Sequence, residues 1–207
     1  MNYELIPYQV DLNLLKKTIG SHDNGLFEAI KCKFANPIYN SNEACYDLIL
    51  KGAPTIEQAL ANLLNGKDQE DQAGLIYSYS LELLTAHLGH RLNNDMLGYL
   101  DTEDGKVLDQ ILNEAKIPFN LAELIGGTPL VHPPIAVGQF PGMGTLDEIK
   151  LKDIKNSFDL FTGNWVSLIP QGIEIDLEFV ELAMKEIYGW AEHTINKPGW
   201  VIITFFQ

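Results

Sequence analysis

His87, His90 and Arg91 are the residues of this chain whose types and spacing could do chemistry. Two histidines three positions apart stand one above the other on a helix, and that spacing can supply two ligands to a metal ion. A zinc site needs a third ligand and often a fourth, which His132 or His22 would have to bring from elsewhere. The pattern is not HExxH, and no acid stands between the histidines to act as a base. The plainer reading is that both imidazoles bond carbonyls at a helix end, where the dipole favours them. No metal and no cofactor is expected; His87 and His90 are the candidates if a metal binds.

Arg91 is the only arginine in the chain. On a helical projection it falls inside a broad apolar arc, so its guanidinium must be paired or reach solvent past its own stem. One reading is a bidentate salt bridge to a carboxylate on another element. The other is an anion clamp at the mouth of a pocket. Residues 126–144, GGTPLVHPPIAVGQFPGMG, hold five Gly and four Pro and predict a long loop with no extended regular element. Loops of that length in a compact domain are often functional, and this one brings His132 and Phe140 to the list of ligand-binding candidates. Its closing PGMG predicts a tight turn leading into a cap rather than a phosphate cradle, because the GxGxxG spacing is incomplete. There is no P-loop and no GxSxG elbow. Asp101, Glu103 and Asp104 have the wrong spacing for a calcium loop and are read as acids at a helix N-terminus.

These residues are held by a segment that organises everything else. Residues 73–92, AGLIYSYSLELLTAHLGHRL, predict one long helix. At about 100° per residue, Ser78, Glu82, Thr85 and Gly89 form a narrow polar arc and leucines, tyrosines and Ile76 cover the rest. A helix that is apolar nearly all round is buried. Around it the chain predicts further helices: 12–19 capped by Asp11, 26–34 after Asp23, 43–51 capped by Ser41, and 55–64 opened by the Thr55/Gln58 capping box. Then come 107–115, a single turn after Asn120 with Glu123 completing a capping box, the second half of 146–158, and 177–195 capped by Asp176. Glu181 and Lys185 make a solvent-side i,i+4 pair on the last of these. Residues 161–169, with Trp165, Val166 and Leu168, predict a strand.

YELIPYQV at 3–10 predicts a strand that Pro7 pushes toward a sheet edge. WVIITFF at 200–206 is apolar on both faces and predicts an interior strand. The two are expected to pair, so that the chain ends meet in one small sheet. The fold class is therefore α+β: mostly helical, a small sheet including the N- and C-terminal strands, packed around the buried helix 73–92, in one domain spanning 1–207.

The net charge is −14, from 28 acidic and 14 basic residues. That balance argues against nucleic acid, which needs clustered Lys and Arg, and against anionic membrane surfaces. No stretch is long and apolar enough to span a membrane. The N-terminal residues lack the pattern of a secretory signal. Cys32 and Cys45 are too few for a disulfide framework and are read as reduced thiols in or near the core, which implies a cytoplasmic setting.

Several stretches together resemble a known family. Tyr3-x-Leu5-x-Pro7-Tyr8-x-Val10-Asp11, Gly20-Ser21-x-Asp23, Tyr79-Ser80-Leu81-Glu82-Leu83-Leu84 and His87-Leu88-Gly89-x-Arg91-Leu92 are similar to a bacterial family of unknown function of about this length. Phe140-Pro141-Gly142-x-Gly144-x-Leu146 and Gly189-Trp190 fit it as well. The order of elements also resembles YfbM-like proteins. Neither resemblance carries catalytic residues across. The expectation is a non-enzymatic binding or interaction protein whose acidic surface meets a protein partner or a second copy in a homodimer; an immunity- or antitoxin-like role is one version. The alternative is a small-molecule or metal-binding enzyme with its site between the end of the central helix and the 126–144 loop, using His87, His90, Arg91 and His132.

Overall fold

The computed structural model describes residues 4–67, 73–98, 102–126 and 142–206. Its centre is an antiparallel sheet in the order β2-β1-β4-β3. The strands are β1 (Leu5–Asp11), β2 (His90–Arg91), β3 (Gly142–Leu146) and β4 (Trp200–Phe206). β1 and β4 pair along their whole length, with Leu5 opposite Phe206 and Asp11 opposite Trp200. The expected union of the two end strands is therefore present, and β4 is interior. Pro7 sits beside the short β2. Its carbonyl accepts from Leu92 N (2.9 Å), so its nitrogen faces that same side, where the partner strand has only two residues.

Alternation along these strands explains why β4 is apolar on both faces. Ile6, Tyr8, Val10, Val201, Ile203, Phe205 and Met143 point into one core. That core is closed by α1 (Leu12–Thr18), α2 (Asn24–Lys33), α3 (Ala35–Ala44), α4 (Tyr46–Leu50), α5 (Ile56–Leu64) and α6 (Gly74–Leu88). Leu5, Ile202 and Leu146 point the other way, into a second core with α7 (Thr102–Glu114), α8 (Leu121–Gly126), α9 (Glu148–Leu160) and α10 (Leu177–Ile195). The sheet is thus covered by helices on both sides.

The predicted central helix is buried, but it is shorter than residues 73–92. It ends at Leu88, Gly89 is extended at φ −120°, ψ −162°, and His90–Arg91 are strand. The reason is contact: a Cβ on Gly89 would stand 2.4 Å from Gln9 O and 3.0 Å from Val10 Cβ. The helix end presses on β1, and the chain leaves along it. The polar arc is no solvent face either. Ser78 and Thr85 are buried, Thr85 Oγ1 donates to Leu81 O (2.8 Å), and Glu82 accepts from the Tyr8 hydroxyl (3.2 Å).

Most of the expected caps are present, but Ser41 lies inside α3 and opens no helix. Asp11 accepts from Asn13 and Leu14 N–H, Asp23 from Leu26, Asp176 from Glu178, and the Thr55/Gln58 box is complete. Three expectations are corrected. The helix expected over 43–51 is two helices broken at Cys45, the first beginning at Ala35 with Pro37 in its first turn, where no N–H is needed. Asn120 does cap, through Ala122 N–H (2.7 Å), but Glu123 reaches Lys150 (3.0 Å) instead of closing a box. Residues 161–169 form no strand but a 3-10 turn at Trp165–Leu168. There Asn164 Oδ1 accepts from Val166 N–H and Ser167 Oγ donates to Asn164 O, a local alternative to sheet pairing.

Within the Pro/Gly-rich stretch, residues 142–146 are strand β3, not a turn. A Cβ on Gly144 would lie 2.3 Å from Glu123 O and 2.5 Å from Leu124 Cα, and one on Gly142 2.3 Å from Ile125 O. These glycines admit the backbone of α8 onto the sheet, where Leu124 O also accepts from Thr204 Oγ1 (2.6 Å). Gly126 would meet nothing within 4 Å. We expect Gly144→Ala to destabilise by about 1–3 kcal/mol in urea unfolding, while Gly126→Ala stays within about 0.5 kcal/mol of the parent. Equal effects would contradict the close packing.

Candidate functional site

The end of α6 does not gather the histidines. His87 is half-buried against Phe34, at the junction of α2 and α3, ring centroids 6.5 Å apart. Burial, with Lys33 nearby, holds its imidazole below the ordinary value. Its Nδ1 is buried, with no hydrogen-bond partner among the described residues. His90 is exposed on β2 and stacks on Trp200 of β4, centroids 6.0 Å apart at 13°. Lys197 covers Trp200 at 4.3 Å from the ring centroid. The two imidazoles are engaged by different elements, and His132 and Phe140 lie outside the described residues. Among the described residues no group of three His, Cys, Asp or Glu could hold a metal ion.

Arg91 has the carboxylate partner that its lone position demands: Glu4, on the segment leading into β1. The contact joins one guanidinium nitrogen to one carboxylate oxygen, with the side chains 49% and 30% exposed. A pair this wet contributes about 0–1 kcal/mol. Next to it, burial and the Glu82 charge push the Tyr8 phenol far above its ordinary value, so it stays a donor. Cys45 is buried and its thiol is pushed up to about 11 by that burial, which suppresses the thiolate a nucleophile needs. Cys32, expected in or near the core, is exposed.

Arg91 also stands at the rim of a groove. This hollow, about 520 Å³, runs between residues 91–96 and α10, and its apolar surface comes from Leu92, Met96, Leu182 and Trp190. Its wall is held from two sides. Asn94 Nδ2 donates to Leu5 O, and Leu5 N donates to Gly98 O (2.8 Å), which ties the wall to β1. From α10, Trp190 Nε1 donates to Asn93 O (2.5 Å), and Glu186 Oε2 accepts from Met96 N (3.2 Å) and Leu97 N (2.9 Å). Burial raises the Glu186 carboxyl above its ordinary value, opposed in part by those backbone donors.

On α10, Glu186, Gly189, Trp190 and His193 lie on the groove side at spacings of three, four and seven residues. The Gly189-Trp190 pair was the signal in the sequence for this wall. Gly189 is informative. An added Cβ would meet only His193 Nδ1, at 3.9 Å, so packing does not require glycine there. A helix-interior glycine is worse than alanine by roughly 0.5–1 kcal/mol. What the missing side chain leaves is space in the groove. His193 Nδ1 lies 2.6 Å from Gly189 O, so it donates there. Glu186 and His193, seven residues apart, are separated by about 10 Å along the helix, too far to pass a proton between them.

The family model for the domain of unknown function DUF7691 matches residues 1–207. The chain belongs to that family. No curated protein matches it, and no solved structure does. The family assignment covers β1, the wall at 91–98 and α10 alike, so every part of the groove is family sequence. No described helix is long and apolar enough to cross a membrane.

The raised Glu186 carboxyl has a pH consequence. Its protonated form is favoured on folding, so the stability it adds is fully present below the unfolded carboxyl value and is lost as pH rises through the raised folded value. Relative to Glu186→Gln, which cannot titrate, the parent should lose stability as pH rises from about 4 to 7, read by urea unfolding across that range. A parent that gains against the Gln variant over the same interval would contradict the assignment.

Proposed function

We propose that this is a non-enzymatic binding protein and that the groove between residues 91–96 and α10 receives an apolar side chain of a basic protein partner. The observation that carries this is Gly189: a helix-interior glycine without a packing neighbour, placed where its missing side chain deepens an apolar hollow. Groove and fold are continuous, since Glu186 and Trp190 hold the wall and line the hollow together. Preorganisation of that kind favours recognition.

Charge chooses the partner. Arg91 is answered by Glu4 and Lys185 by Glu181 (3.9 Å), which leaves Asp95 and Glu186 as further acids beside the apolar floor. With a net charge of −14, a second copy or a nucleic acid meets like-charge repulsion, and a basic surface is drawn in. A cytoplasmic setting is part of the same reading, supported by the unpaired thiols of Cys32 and Cys45. Glu186 and His193 are committed to backbone partners, which suits holding a ligand better than proton transfer.

The test uses a lysine-rich helical peptide carrying one leucine, titrated while the indole N–H signal of Trp190 is followed by NMR. Gly189→Leu fills the hollow and replaces a helix-interior glycine, so it should fold at least as stably as the parent. Binding that shifts Trp190, weakens with salt and falls about tenfold or more in Gly189→Leu agrees with the proposal. Equal binding by the two proteins would overturn it.

A further inference from the structure

A second hollow lies on the opposite flank of α10. About 360 Å³ in volume, it is walled by Phe158, Trp165, Met184 and Tyr188. Its rings are fixed by one another: Phe158 meets Trp165 and Tyr188 at 5.8 Å each, and Phe161 stacks on Trp165 at 4.0 Å. Along α10, Leu182, Glu186, Gly189 and His193 face the groove, whereas Glu181, Met184 and Tyr188 face the aromatic cleft. Lys185 borders both. The two hollows are therefore neighbours across the width of a single helix, about 10 Å.

The surroundings of the cleft are apolar and acidic. Leu160, Val166 and Leu177 are 80%, 44% and 46% exposed on the flanking segments. Asp159 and Glu192 each lie 3.2 Å from the Tyr188 hydroxyl. Lys155 lies over the Tyr188 ring (5.3 Å) and pairs with Asp159 (2.5 Å), so those two charges answer each other beside the cleft and Glu192 is the acid left there. An apolar socket with an acid beside it thus occurs on each side of the Lys185 ridge, Asp95 at the groove and Glu192 at the cleft.

We infer that groove and cleft form one two-socket surface, and that a single basic segment of a partner protein straddles α10 with two apolar anchors about 10 Å apart. This rests on the proposed function, whose socket it takes as the first of the two. A second copy of this chain is disfavoured as occupant by the charge of −14 that both copies would carry. The basic partner satisfies the rims, and the apolar anchors fill the sockets. Two anchors on one segment also make the second contact intramolecular, which raises affinity without new chemistry.

The experiment titrates a lysine-rich helical peptide with two leucines seven residues apart, about 10 Å along its axis, into the whole protein. The indole N–H signals of Trp190 and Trp165 report on the two sockets separately. Expected are shifts of both signals with one common dissociation constant, and about tenfold or greater weakening when either leucine is removed. Trp165→Ala, or Tyr188→Ala should that variant fail to fold, should weaken the two-leucine peptide and leave the one-leucine peptide unchanged at Trp190. If the two-leucine peptide shifts Trp190 alone and binds no better than the one-leucine peptide, the two-socket surface is overturned while the groove stands. If a leucine-free lysine peptide binds equally well, the attraction is charge alone and both readings fall.

Discussion

The structure depends on one constraint, the burial of β4 on both faces. A strand of seven residues, six of them apolar or aromatic, cannot lie at a surface, and here Val201, Ile202, Ile203 and Phe205 are at most 3% exposed. Each such side chain contributes about 1.5–3 kcal/mol on removal from water. To bury both faces, the chain must supply helices on each side, and it does so in order: α1–α6 close one face, α7–α10 the other. The antiparallel partner strands come from the beginning of the chain and from residues 142–146. Long-range pairing of this kind is what joins the two helical halves into one body.

The groove follows from that arrangement. α10 reaches β4 through the Lys197-Pro198-Gly199 turn, which Leu12 N fastens to Gly199 O (3.1 Å). The helix is thereby set at the side of the sheet, and the chain leaving β2 must pass along it. Glu186 and Trp190 hold that passing segment by its backbone, and the space left between the two is the groove. Its position is set by main-chain bonds to rigid elements, so the apolar floor and the acidic rim are presented in a fixed geometry.

Much of this was legible because it is local or strongly periodic. Asp11, Asp23, Thr55 and Asp176 cap helices through side chains that reach only two or three residues onward, and such signals survive any tertiary context. The apolar character of residues 74–88 and of 200–206 told of burial directly. The illegible parts are those decided by contact between distant backbones. Gly142 and Gly144 read as loop residues, yet they are glycine because α8 lies against them in a sheet. Gly89 looks like one more helical position, and only the approach of β1 makes it a stop. The candidate site is half visible: Arg91 stands out by type and lines the groove, whereas nothing in the sequence pattern sets Glu186 and His193 apart, and Gly189 enters only beside Trp190 in the family resemblance. His87 and His90 share a face only on a helix that continues past Leu88, where α6 ends.

Native-state hydrogen exchange tests the central place of β4 most directly. The account predicts that the amides from Val201 to Phe205 are among the slowest in the protein and exchange only by global unfolding, with the full denaturant dependence of that transition. Exchange of those amides through local opening, at rates like those of the two-residue strand β2, would contradict it.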